Sequence, residues 1–514
     1  MNHKSNQKLG WPLIILIGIL SLFITAFITT TSPLFAFNNS WDGNTMFTVG
    51  KGLWHGLLPY RDLFDQRGPL MYLMNSFAAL ISYRTFLGVY LFEALTVCFD
   101  IILSYRIINL KFSKPIAFAS SFTIIPIVFN GYFFENGELP ESLVMPLMLG
   151  LIYTVLKNNG AAFSDFQLFW QGVALSIVFW TKYTLILPWV AFFGWILIAM
   201  LIKKQWHPLL RKIAFGAAGF FSISLALIIF FGINGALFDL FKGYFYMNFH
   251  YYPKSKFLSI HIIYNIFDFI FRNPLNTLFS FLFALGFAYF LSSRTFKWQP
   301  KLMIALGALM EVFMIVGNAH SFRYYFVGLG CFLIFISMGI ANLITILIQH
   351  WRPNPIKVSA LVTLLAIAGV FITNPLYQDT ILFPHNQSIS ANQKSTVPFQ
   401  IKFAKIINRS NDRSILNYNN LDVGLYTATA TLPQNKYFAK LNLKGFAPMM
   451  DSQNYILNHH KANFVVFALK RNQSIWDPDQ HPDRSFKKYY RLVAHRTTIF
   501  QNQKVKYLLY KLRS

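Results

Sequence analysis

Cysteine is almost absent from this 514-residue chain: Cys98 and Cys331 are its two, and both lie inside apolar runs. That excludes a disulfide framework and a cysteine-based metal site, and leaves both as small buried hydrophobes. Charge is scarce as well. Only 12% of the residues are charged, where soluble domains carry about 25%. No repeat of fixed period and no low-complexity tract is visible, so solenoids and compositionally biased linkers are excluded.

What is present instead is apolar and aromatic. Hydrophobic residues make up 55% and aromatics 18%, with 56 Phe, which places the chain in the membrane class. The formal net charge of +26 does not point to nucleic acid. The basic residues mostly fall between apolar runs, where the positive-inside rule and anionic headgroups account for them.

A membrane-crossing helix needs about 20 apolar residues. The first run, GWPLIILIGILSLFITAFITT, has that length and exceeds a signal-peptide core, so it reads as the first transmembrane helix. Eleven spans are expected, over 11–31, 86–108, 115–133, 140–156, 167–181, 184–202, 212–233, 275–292, 301–317, 324–349 and 357–373. Loop cations such as Lys111, Lys114, Lys203, Lys204, Arg211, Arg294 and Arg352 favour a cytoplasmic N-terminus.

On that topology residues 32–85 form a large first outer loop. Its first part reads as amphipathic, with Phe47, Leu53, Trp54, Leu57 and Leu58 among polar residues, and RGPLMYLMNSFAALIS reads as a helix in the outer interface. Residues 1–373 then form the transmembrane domain. Residues 374–514 form a small extracytoplasmic α/β domain, in which SILNY, NKYFAKLNL, ANFVVFAL and VKYLLYKL read as strands. The fold class is an all-α polytopic membrane protein with that appended domain.

Ionisable groups near hydrocarbon are costly and usually have a purpose or a partner. Those expected at the outer face are Asp42; Asp62, Asp65 and Arg67; Glu135, Glu138 and Glu141; Lys182; and His320 with Arg323. Asp62 beside Arg61 reads as a solvated ion pair, and Glu135 and Glu138 read as rim residues.

The segment WDGNTMFTVGKGLWHGLLPY, followed by DLFDQRGPLMY, resembles the GT-C class of membrane glycosyltransferases. More narrowly it resembles the family of protein mannosyltransferases and aminoarabinose transferases, in its bacterial branch that decorates cell-wall polymers such as teichoic acid. NGELPESLVMP, Arg323-Tyr324-Tyr325 and the tail segment LDVGLYTATATLPQNKYF resemble further elements of that family. Two departures stand out: Asp42-Gly43 where relatives often have paired acids, and Arg67 where several have Lys.

The resemblance implies transfer of a sugar from a polyprenyl phosphate to an extracytoplasmic acceptor, whether wall polymer, lipid or protein, with inversion and with no nucleic acid involved. For that chemistry Asp42 suits the base that activates the acceptor hydroxyl. Arg67 suits the departing phosphate, with Arg323 and Lys182 as further phosphate-binding candidates. Asp65, Glu141, His320 and Tyr324 are supporting candidates. No cofactor is required by the spacing; a divalent cation, Mg²⁺ or Ca²⁺, would suit Asp42 with Glu141. The absence of a glycine-rich phosphate loop argues against a sugar-nucleotide donor. The alternative reading is a transporter or flippase of lipid-linked saccharides.

Overall fold

The structure is a computed structural model that describes residues 9–160, 162–252, 261–316, 322–383, 397–470, 484–500 and 503–513. Long apolar runs dictate helices, and the first of them are α1 (Trp11–Ile28), α2 (Trp41–Leu53), α3 (Pro69–Ile81) and α4 (Leu87–Ile108). These are followed by α5 (Pro140–Lys157), α6 (Asp165–Lys182), α7 (Leu187–Ile202), α8 (Trp206–Ile233), α9 (Pro274–Ser292) and α10 (Trp298–Val316). A 3₁₀ stretch, Arg323–Leu333, leads into α11 (Ile334–Trp351), and α12 (Pro355–Thr373) closes the helical part. Proline in the first turn starts α1, α3, α5, α7, α9 and α12, where its missing N–H has no helical acceptor to lose.

Among the described residues eight helices are long and apolar enough to cross a membrane, or nine if α6 and α7 are counted together as one bent span. Two of the eleven expected spans fall on that pair, which turns by 118° at the break. The expected span 115–133 is delivered as three short helices, Lys114–Ser121, Ile125–Val128 and Gly131–Phe134. Asn130 causes the last break, because its side chain caps the N–H groups of Tyr132 and Phe133 at 3.1 Å.

After α12 the chain builds a helix α13 (Phe399–Ile407) and a sheet of β1 (Ile415–Asn417), β2 (Phe464–Lys470), β3 (Tyr490–Phe500) and β4 (Gln503–Leu512). The order is β1-β2-β4-β3, with β1 and β2 parallel and the other pairs antiparallel. Three of the four expected strands are present. NKYFAKLNL is not one: its backbone bonds go elsewhere, Lys436 O to Phe64 N–H at 2.8 Å and Lys440 N–H to Asn420 O at 2.8 Å. The strand β3 was not foreseen.

One sheet face packs Val466, Tyr507 and Leu509 into a core shared with Met46, Val49, Tyr60 and Tyr72 of the first loop. That shared core corrects the amphipathic reading of α2, in which every residue from Gly43 to Gly52 is buried. Its polar side chains meet the tail: the Thr48 hydroxyl donates to Asp422 Oδ2 at 2.7 Å, and Lys51 Nζ to Thr427 Oγ1 at 3.0 Å.

Candidate active site

The site grows from two turns of the first loop. Ser40 caps α2 by accepting from the Gly43 N–H at 3.0 Å, which sets Asp42 in the first helical turn. Further along, DQRGPLMY makes a rigid bend. The hydroxyls of Tyr60 and Tyr72 both donate to the Arg67 carbonyl, at 2.6 and 3.1 Å. Asp65, fully buried, takes Arg67 Nη1 on both oxygens at 2.8 and 2.9 Å. The other guanidinium arm, Nη2, reaches Asp42 Oδ1 at 2.6 Å. Burial works against the Arg67 charge, and Asp42 and Asp65 more than reverse it, so its pKa lies well above the ordinary value.

Gly68 lets this bend approach α6, because a Cβ there would overlap the backbone carbonyls of Trp180 and Thr181. Lys182 follows directly. It pairs with the fully buried Glu141 and lies 4.0 Å from the Tyr325 ring centroid. The result is a cavity of about 530 Å³ with Asp42, Arg67, Glu141, Lys182 and Tyr324 in its wall. Five of the eight expected site residues therefore meet in one hollow, and Asp65 stands behind Arg67.

Arg323 does not join them. It turns to Glu135 at 3.5 Å and stacks over the Tyr132 ring. His320 lies outside the described residues. Arg61 and Asp62 pair at 2.9 Å, and Asp62 also accepts from the Leu58 N–H, as a structural turn. Among the described residues no three His, Cys, Asp or Glu side chains converge as metal ligands. In this structure Asp42 pairs with Arg67 and Glu141 with Lys182.

Glu138 corrects its rim assignment. The chain has five glutamates, at 93, 135, 138, 141 and 311, and all but Glu135 are buried, although glutamate is almost never buried without a partner. Glu138 lines the cavity. Its carboxyl fills the space that a side chain at Gly43 would take, so an acid from a distant stretch stands next to the residue that follows Asp42. Burial pushes the Glu138 carboxyl well above the usual range, helped by Glu93 and Asp42 and opposed by Asn75 and Arg67.

Other groups escaped the sequence reading. Tyr252 and Tyr325 share a hydroxyl contact at 2.6 Å and both line the cavity. The Asn248 amide holds the Gln66 carbonyl at 2.8 Å. Glu311 is buried in α10, one turn from the cavity-lining Met314 and Ile315. A lone acid in ALMEVFM was the available signal.

No protein-family model matches this chain, and no curated protein does. Solved structures do. ArnT from Cupriavidus metallidurans, in the structure bound to undecaprenyl phosphate, superposes with a TM-score of 0.60 at 10% identity over 97% of each chain. Its apo structure gives 0.61, also at 10% identity and over 97% of each chain. The chain shares the fold of ArnT. A looser likeness, with a TM-score of 0.46 at 12% identity, links it to an oligosaccharyltransferase from Archaeoglobus fulgidus over 88% of this chain and 67% of that one. Within this fold the helical part and the first loop line the cavity, and the tail packs against the first loop.

Proposed function

We propose that the chain is a glycosyltransferase that moves a sugar from a polyprenyl phosphate to an extracytoplasmic acceptor, teichoic acid or another cell-wall polymer. The observation that carries this reading is the cavity in which Asp42 and Arg67 stand 2.6 Å apart, with Lys182 in the same wall. The likeness to ArnT, whose structure holds undecaprenyl phosphate, supports the donor class. The tail supports the acceptor class: residues 374–514 hold 20 Lys and Arg against seven Asp and no Glu, a charge suited to a phosphate-rich polymer.

The chemistry is a single displacement. The donor phosphate competes for Arg67 Nη2 while Asp65 keeps Nη1, which frees Asp42. The acceptor hydroxyl loses its proton to the Asp42 carboxylate and its oxygen bonds to the anomeric carbon. The bond from that carbon to the phosphate oxygen breaks, the configuration inverts, and polyprenyl phosphate leaves with its charge met by Arg67 and Lys182. Glu141 holds Lys182 toward the cavity.

The test is to incubate the purified chain with a panel of polyprenyl-phosphate sugars and measure release of polyprenyl phosphate. Asp42→Asn should lower turnover by about 10²- to 10⁴-fold while lipid binding persists. Wild type releasing nothing from any donor, or Asp42→Asn turning over normally, would sink the reading.

A further inference from the structure

Glu138 is an acid in the cavity wall for which the chain itself has no use. It is fully buried and lines the cavity; the Asn75 side chain is a near polar neighbour, and by donor–acceptor geometry neither carboxyl oxygen is hydrogen-bonded among the described residues. An unmade buried hydrogen bond costs about 1–3 kcal/mol, so something must hold the group in place. Its backbone is strained as well: φ is +54° at Glu135, +87° at Gly137 and +54° at Glu138. Left-handed conformations at non-glycine residues persist only when their surroundings over-determine them, and they cluster at functional sites.

The surroundings are built for this. The Glu138 N–H donates to Glu93 Oε1 at 2.5 Å. Glu93 in turn takes the hydroxyls of Thr29 at 2.8 Å and Thr31 at 2.5 Å, and the Thr30 N–H donates to the Asn136 carbonyl at 2.9 Å. The segment after α1 thus clasps the strained loop and points its acid inward. Gly43 leaves the space that the carboxyl occupies, one residue from Asp42.

The cations of the cavity, Arg67 and Lys182, are where a phosphate belongs. A carboxyl beside Asp42 repels phosphate and instead complements hydroxyl groups, which donate to it and accept from its protonated form. We infer that Glu138 binds the sugar of the lipid-linked donor through the sugar's hydroxyls, and so helps decide which sugar is accepted. The inference rests on the donor reading above and adds the contact that distinguishes a sugar-bearing lipid from a bare one.

The experiment uses the full chain in lipid nanodiscs. Affinities for undecaprenyl phosphate and for the sugar-bearing lipids that wild type turns over are measured for wild type, Glu138→Leu and Glu138→Gln, together with melting temperatures. Glu138→Leu should bind the sugar-bearing lipid at least roughly tenfold more weakly, bind undecaprenyl phosphate as wild type does, and melt no lower than wild type. Glu138→Gln, which still hydrogen-bonds, should fall between. Equal losses for both lipids, an unchanged affinity for the sugar-bearing lipid, or a fall in melting temperature together with both affinities would overturn the inference. Wild type binding no sugar-bearing lipid at all would remove the donor reading first, and the role of Glu138 with it.

Discussion

Arg67 is fixed before anything binds it. Two tyrosine hydroxyls hold its carbonyl and Asp65 holds one guanidinium arm, which leaves the arm on Asp42 as the one a ligand can take over. Asp42 and Arg67 were legible in the sequence because charge is rare there and both follow the first apolar run. Glu138 was not, because its burial depends on Thr29, Gly43 and Glu93, none near it in sequence. Its raised pKa has a stability consequence. The folded state keeps a proton that the unfolded chain releases above its ordinary pKa of 4.5, so this carboxyl makes folding less favourable as pH rises through that value toward the folded pKa. Glu138→Gln removes that loss. The melting-temperature gain of the variant over wild type should therefore widen as pH rises above the ordinary value of 4.5; a gap that is constant or shrinks contradicts the assignment.

At the scale of elements, α2 carries the argument. The sequence reads its segment as amphipathic, yet the tail buries its polar side, so Thr48 and Lys51 satisfy groups 374 and 376 positions away. No local pattern encodes a partner that distant. Burial drives the Lys51 amine down to about 7 against the attraction of Asp422, whose own carboxyl burial raises. Asp422→Ala strips the acceptor from Thr48 and from the Gly424 N–H and leaves a buried cation unbalanced. The cost should be on the order of 3 kcal/mol, read as a lower melting temperature. Turnover should fall with it, although Asp422 lies outside the cavity wall, and Asp422→Asn should recover part of both. Long helices were legible because an apolar run of about 20 residues allows little else. The break near Lys182 was legible too, but the one near Asn130 was not, because a single cap decides it, and β3 was missed because its alternation is interrupted by a bulge between Leu492 and Ala494.

For the whole molecule, the proposed chemistry requires the cavity, the first loop and the sheet to lie on one side of the bilayer, opposite the cations that follow α7. In a background lacking Cys98 and Cys331, cysteine placed at the exposed positions His55 or Lys444 should react with a membrane-impermeant maleimide in intact cells. Cysteine at the exposed Lys203 should react only after permeabilisation. Labelling of Lys203→Cys from outside would reverse the topology and end the donor reading.

The core that joins α2 to β2 and β4 also sets an order of events during biosynthesis. Tyr507 and Leu509, made long after Met46 and Val49, pack in one cluster with them. Until β4 is made, the helix bearing Asp42 lacks part of its packing, although the cavity wall itself is built without the tail. Insertion of the helices and completion of the fold are thereby separated in time.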